Sequence, residues 1–167
     1  MQEDLLDSIK QLFNNTPNLI STISKAVSDN AELKKKVETF TQEKITSLAD
    51  KIAKNAEDIN GVKIVKVSSI ADINIEMARG ISSILRNKFA NEKFMFAIGF
   101  INNGKPMLLV MLSKPLVDAG YNATNIIKIA AKEIGGNGGG QPFLATAGGS
   151  KVNGIDKALD IAVDCIR

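Results

Sequence analysis

The sequence predicts an α+β fold: an N-terminal helical, coiled-coil-like arm, then a small globular domain with one β-sheet packed by helices. Three observations predict it. Apolar residues recur at helical spacing up to residue 60 and at a period of two just beyond it. Two long apolar runs flank Asn103-Gly104, the strongest short-range hairpin signal. Amphipathic helical stretches precede and follow that hairpin. Charge changes at the same place, since residues 1–60 carry 8 Lys/Arg against 10 Asp/Glu and residues 61–167 carry 13 against 8. The domain reading is therefore an acidic arm or linker over 1–60 and a basic globular domain over 61–167.

In the arm, Leu5, Leu6, Ile9, Leu12 and Phe13 mark a first helix, which Asn14-Asn15-Thr16-Pro17 punctuates. Thr16 suits a cap and Pro17 the first helical position, so a second helix is expected from there. Ile20, Ile23 and Val27, then Leu33, Val37 and Phe40, then Ile45, Leu48 and Ile52 form three triplets at steps of three and four. The steps between triplets slip, giving an imperfect heptad seam. Ser28-Asp29-Asn30 leaves a break near residue 29 open. Such a seam needs a partner, either this chain's own body or a second copy.

In the body, Val62, Ile64 and Val67 predict a strand and Asp72 to Lys88 a helix, with Ile73, Met77, Ile81 and Leu85 on one face. Lys93 to Ile101 and Pro106 to Leu112 predict central strands, because they are apolar almost without interruption. Pro115 closes the second. Gly120 and Asn122 open a helix through Ile134, Gly135 is placed to end it in a left-handed turn, and Gly154 to Arg167 gives a last helix.

Between those two helices lies Gly135 to Gly149, which holds seven of the chain's 13 glycines. Each glycine forgoes side-chain packing and costs backbone entropy on ordering, so neither a helix nor a ladder strand is expected here. Two explanations stay open: turns of positive φ packed against the sheet, or a surface that another molecule's backbone approaches. A Walker loop would need a lysine within the run, and a dinucleotide fingerprint would follow a strand, so both are rejected. Bare glycine amides at 135, 136, 138, 139, 140, 148 and 149 can donate to anionic oxygens. With Gln141 beside them, Lys128 and Lys132 upstream and Lys151 downstream, the run suits a phosphodiester backbone.

Composition excludes several other classes. The chain has no histidine, which removes Ser-His and Cys-His catalysis and histidine metal ligation. No apolar run approaches a membrane span, and no signal sequence opens the chain, so a cytoplasmic protein is expected. Cys165, among Ile161, Val163 and Ile166, is expected to be a buried thiol.

The run Gly135-Gly136-Asn137-Gly138-Gly139-Gly140-Gln141-Pro142, with Ala145-Thr146-Ala147-Gly148-Gly149, resembles the signature of the DHH-associated domain found at the C-terminus of alanyl-tRNA synthetases. The resemblance implies a tRNA-binding module that helps present tRNA to aminoacylation and editing domains. Those domains, with their ATP and zinc sites, would lie upstream in the parent enzyme, so no cofactor, metal or catalytic residue is expected in this chain. It also implies homodimerisation through the arm in some members. Phosphoesterases of the wider group carry a histidine where this chain has Gln141. Many relatives carry arginine at Gln141 and aspartate at Phe143, so weak, salt-sensitive backbone contact is expected. Tyr121 and Phe143 are the only aromatic residues in or beside loops.

Overall fold

The computed structural model describes residues 2–68 and 72–166. Among them the chain falls into two compact units, Met1–Glu43 and Lys44–Arg167. The first holds helix α1 (Gln2–Leu12) and the N-terminal part of α2 (Leu19–Lys54). Helix α2 is continuous, so the sequence does not break near residue 29. It starts two residues after Pro17, and its cap is Asn18 rather than Thr16: Asn18 Oδ1 accepts from the Ser21 N–H at 3.3 Å. In α2, Ile20, Val27, Leu33, Val37 and Phe40 are exposed, while Ile45, Ala49 and Ile52 are buried.

In the second unit the elements after α2 run β1 (Glu57–Ile59), β2 (Val62–Ser68), α3 (Ile75–Lys88), β3 (Phe94–Asn102) and β4 (Lys105–Leu112), then α4 (Lys114–Asp118) and α5 (Ala123–Ala130). They continue through β5 (Asn137–Gln141) and β6 (Leu144–Gly148) to α6 (Ile155–Asp164). One six-stranded sheet takes the order β1-β2-β3-β4-β6-β5. Among the described residues only β2 and β3 pair in parallel, as they must when α3 forms the crossover between them.

Strand alternation builds two cores on the two faces of the sheet. Met95 and Ala97 of β3 with Leu108, Val110 and Leu112 of β4 pack under α5 and α6. Phe94, Phe96, Ile98 and Phe100 with Leu109 and Met111 pack under α3 and the C-terminal part of α2. Gly80 of α3 lets α2 in closely, since a Cβ there would stand 3.1 Å from Ile45 Cδ1. At the exposed end of the same contact, Lys88 Nζ donates to Asp50 at 2.8 Å and holds that carboxyl below its usual range. On the other face Cys165 is half-buried rather than buried as expected, and partial desolvation and Asp164 push its thiol up, so it stays protonated at neutral pH.

Two Asn-Gly pairs behave alike. Asn103 and Gly104 have φ of 50° and 74° and turn β3 into β4, as expected. Asn60 and Gly61 have φ of 54° and 79° and turn β1 into β2. The Asn60-Gly61 step is thus a hairpin turn inside the second compact unit, which begins at Lys44. The physical reason is the third triplet of the seam: Ile45 and Ile52 are buried against α3, and Leu48 packs beside them.

Candidate nucleic-acid interface

The glycine stretch begins as expected and then departs from expectation. Gly135 sits at φ 61°, its N–H donates to the Lys132 carbonyl, and the Gly136 N–H donates back to Ala131 at 2.9 Å. This pair of bonds is a Schellman motif closing the turn after α5. The carbonyl of Ile134 takes the N–H groups of Ser150 and Lys151, at 2.8 and 2.9 Å, which ties both ends of the stretch together.

Between those ends the glycines form a ladder strand after all. β5 pairs with β6 from Asn137↔Gly148 to Gln141↔Leu144 and is one of the sheet's two edge strands, opposite β1. Close approach is the reason. A Cβ at Gly136, Gly138 or Gly140 would stand under 3.0 Å from backbone atoms of β6 or of Gly149. These glycines therefore serve strand packing, a ladder role outside both explanations the sequence left open; within the run only Gly135 and Gly140 take positive φ. Gly139 differs, since a Cβ there would meet nothing within 4 Å. Its lack of a side chain is not required by any contact inside the fold.

The hairpin tip is fixed by backbone bonds. Leu112 N–H donates to the Phe143 carbonyl at 2.9 Å, and Ala123 N–H donates to the Pro142 carbonyl at 2.8 Å. Gln141 is exposed beside them. Asn122 caps α5, accepting from Thr124 N–H at 2.9 Å, so tip and helix start are set together.

The structure does not bring all the expected site residues to one place. Lys151 adjoins Gly135, whose added Cβ would lie 3.2 Å from the Lys151 Cγ. Lys128, in α5, and Lys132, in the turn after it, are exposed on the layer that covers Ala145 and Ala147. Gly139 pairs with Thr146, between Leu144 and Gly148, whose outward neighbours pack on the opposite, α3 side. Asn137 Oδ1 already accepts the Gly138 N–H at 2.8 Å. Lys128, Lys132 and Lys151 have no carboxylate partner among the described residues.

On the α3 side stand two basic residues that sequence proximity did not single out. Arg79 and Arg86, seven residues apart on α3, border the hairpin. Arg86 lies over the Phe143 ring, 4.0 Å from its centroid. The available signal was their spacing on the polar face of α3, which no glycine-centred reading would use.

Residues 61–167 match the DHHA1 domain, and the chain belongs to that family. Its relatives make the likeness particular: the chain is 43% identical over 158 residues to the alanine-tRNA ligase of Bacteroides thetaiotaomicron, covering 95% of this chain and 18% of that protein. It is 36% identical over 167 residues to that of Acetivibrio thermocellus, 99% of this chain and 19% of the other. The chain thus spans less than a fifth of the length of these relatives. Among solved structures, the C-Ala domain of Aquifex aeolicus alanyl-tRNA synthetase shares the fold, with a TM-score of 0.54 at 23% identity, over 64% of this chain and 93% of that one. No helix among the described residues is long and apolar enough to cross a membrane.

Proposed function

We propose that the chain is the C-terminal module of an alanyl-tRNA synthetase and that it binds tRNA, helping present it to aminoacylation and editing domains elsewhere in the parent enzyme. The observation that carries this reading is the 43% identity to an alanine-tRNA ligase across 95% of the chain. The geometry supports it physically. A glycine edge strand lets a phosphodiester backbone come close, Lys151 beside Gly135 supplies unpaired positive charge at its start, and Lys128 and Lys132 supply more on the α5 layer. The parent's ATP and zinc sites belong to the domains outside this chain, and the setting is cytoplasmic.

The test is retardation of a tRNA transcript by the 167-residue chain. Binding is expected at low salt and should fall steeply as salt rises, because contacts to phosphate release counterions. Gly139→Asp is expected to weaken the shift while leaving the melting temperature in place, since its new side chain enters open space. No shift at any salt overturns the reading.

One observation favours a second role. Ile20, Leu33, Val37 and Phe40 of α2 are 80%, 60%, 63% and 67% exposed, an apolar stripe suited to homodimerisation. Sedimentation over a range of concentrations decides this, and a strict monomer excludes it.

A further inference from the structure

Two hollows meet at Phe143 on the α3 side of the sheet. One, of about 170 Å³, is bordered by Ser82, Arg86 and Met111; the other, of about 280 Å³, by Gly139, Gln141 and Thr146. Arg79, Phe143 and Leu144 line both. Three features of this groove go unexplained by packing. Gly139 leaves space that a side chain could fill without contact. Arg79 makes no ion pair or hydrogen bond among the described residues, although Glu76 stands one turn before it. Phe143 is only half-buried, yet its backbone is pinned by Leu112 and its ring is backed by the Arg86 guanidinium.

A pinned, half-exposed ring with a cation behind it is a stacking shelf for a π-face. An unneutralised guanidinium at the rim is a phosphate seat. The larger hollow falls just under the ~300–1,000 Å³ of typical small-molecule sites, which suits one nucleotide and not a duplex. We propose that this groove holds a single unstacked nucleotide of the bound RNA, its base on the face of Phe143 turned away from Arg86, its phosphate at Arg79, and its sugar over Gly139. This inference rests on the RNA-binding reading. It adds to it a base-contacting site across the sheet from Lys128 and Lys132.

The experiment compares variants of the 167-residue chain by fluorescence anisotropy with a labelled tRNA transcript and by competition with mononucleotides. Phe143→Leu should weaken tRNA binding roughly tenfold, the effect of losing one base-aromatic stack, and Phe143→Tyr should retain it. Arg79→Gln should lower the slope of log affinity against log salt by about one phosphate contact. Adenosine monophosphate should compete where ribose phosphate does not. If Phe143→Leu disturbs folding, Gly139→Val carries the same test, because it fills the hollow from a position with no neighbour. A wild-type chain that never shifts tRNA defeats the tRNA reading and this one together. A wild-type chain that binds while Phe143→Leu, Gly139→Val and Arg79→Gln bind equally well defeats the groove alone, and Lys128→Glu with Lys132→Glu would then be the variants that weaken binding. Equal competition by adenosine monophosphate and ribose phosphate also overturns it, leaving an anion site only.

Discussion

Gly138 and Gly139 are neighbours in one strand, and the fold treats them in opposite ways. At Gly138 an added Cβ would stand 2.5 Å from that of Ala147, with backbone close behind, and no rotamer relieves a Cβ. Gly138→Ala is therefore expected to destabilise by about 1–3 kcal/mol or more, the range of an overpacked site. Gly139→Ala should stay within about 0.5 kcal/mol of the native chain. Chemical denaturation of both variants checks this, and equal losses would mean that Gly139 too is held by packing. The density of glycine was legible in the sequence, and so was Gly135 as the left-handed end of the helix. The strand was not, because glycine carries no β-propensity, and the ladder is imposed by β6 and by its seat beside β4. Nor did residue order disclose which cations face which side. Lys128 and Lys132 are near the glycines in sequence but lie on the α5 layer, whereas Arg79 and Arg86 reach the hairpin only through the sheet topology.

At the scale of elements, α2 shows how one periodic pattern can serve two environments. Its three apolar triplets look equivalent in sequence, yet Val37 is 63% exposed and Ile45 only 7%. The helical period is legible in the sequence but not where burial begins, because that is decided by α3, whose Gly80 admits Ile45. Ile45→Ala is expected to cost about 2–4 kcal/mol through lost burial and a residual cavity. Val37→Ala should cost under about 0.5 kcal/mol, since little apolar surface leaves water. Thermal unfolding of the two variants at one concentration measures the difference. A large loss at Val37 would show that the stripe is buried by a second copy in solution. The hairpins teach the same lesson at shorter range. Asn103-Gly104 was readable because long apolar runs flank it. Asn60-Gly61 carries the same turn chemistry but was hidden by the three-residue β1, whose Glu57 and Asp58 are polar.

At the scale of the whole chain, the family match and the folding unit start at different residues, 61 and 44. The difference has an energetic consequence. A chain trimmed to 61–167 would lose Ile45, Ala49 and Ile52 from the core under α3, and β1 from the edge of β2. Burial of a large apolar side chain contributes about 1.5–3 kcal/mol, so losing two isoleucines and their neighbours approaches the ~5–15 kcal/mol by which whole domains are stable. The trimmed chain would also expose Met77, Ala78 and Ile81 of α3 to water and leave β2 an open edge that invites association. A chain trimmed to 44–167 keeps both cores and both Asn-Gly hairpins. It should therefore unfold cooperatively, with a melting temperature within a few degrees of the full chain, because the residues removed are largely exposed. The chain trimmed to 61–167 should melt far lower or elute as aggregates in size exclusion. Equal melting of the two would mean that the end of α2 is dispensable and that the folding unit begins at the β1–β2 turn. The tRNA assay on the 44–167 chain then separates the interface from the helices: undiminished retardation places the contacts on the sheet and its glycine edge, and loss of binding assigns them to α1 and the start of α2.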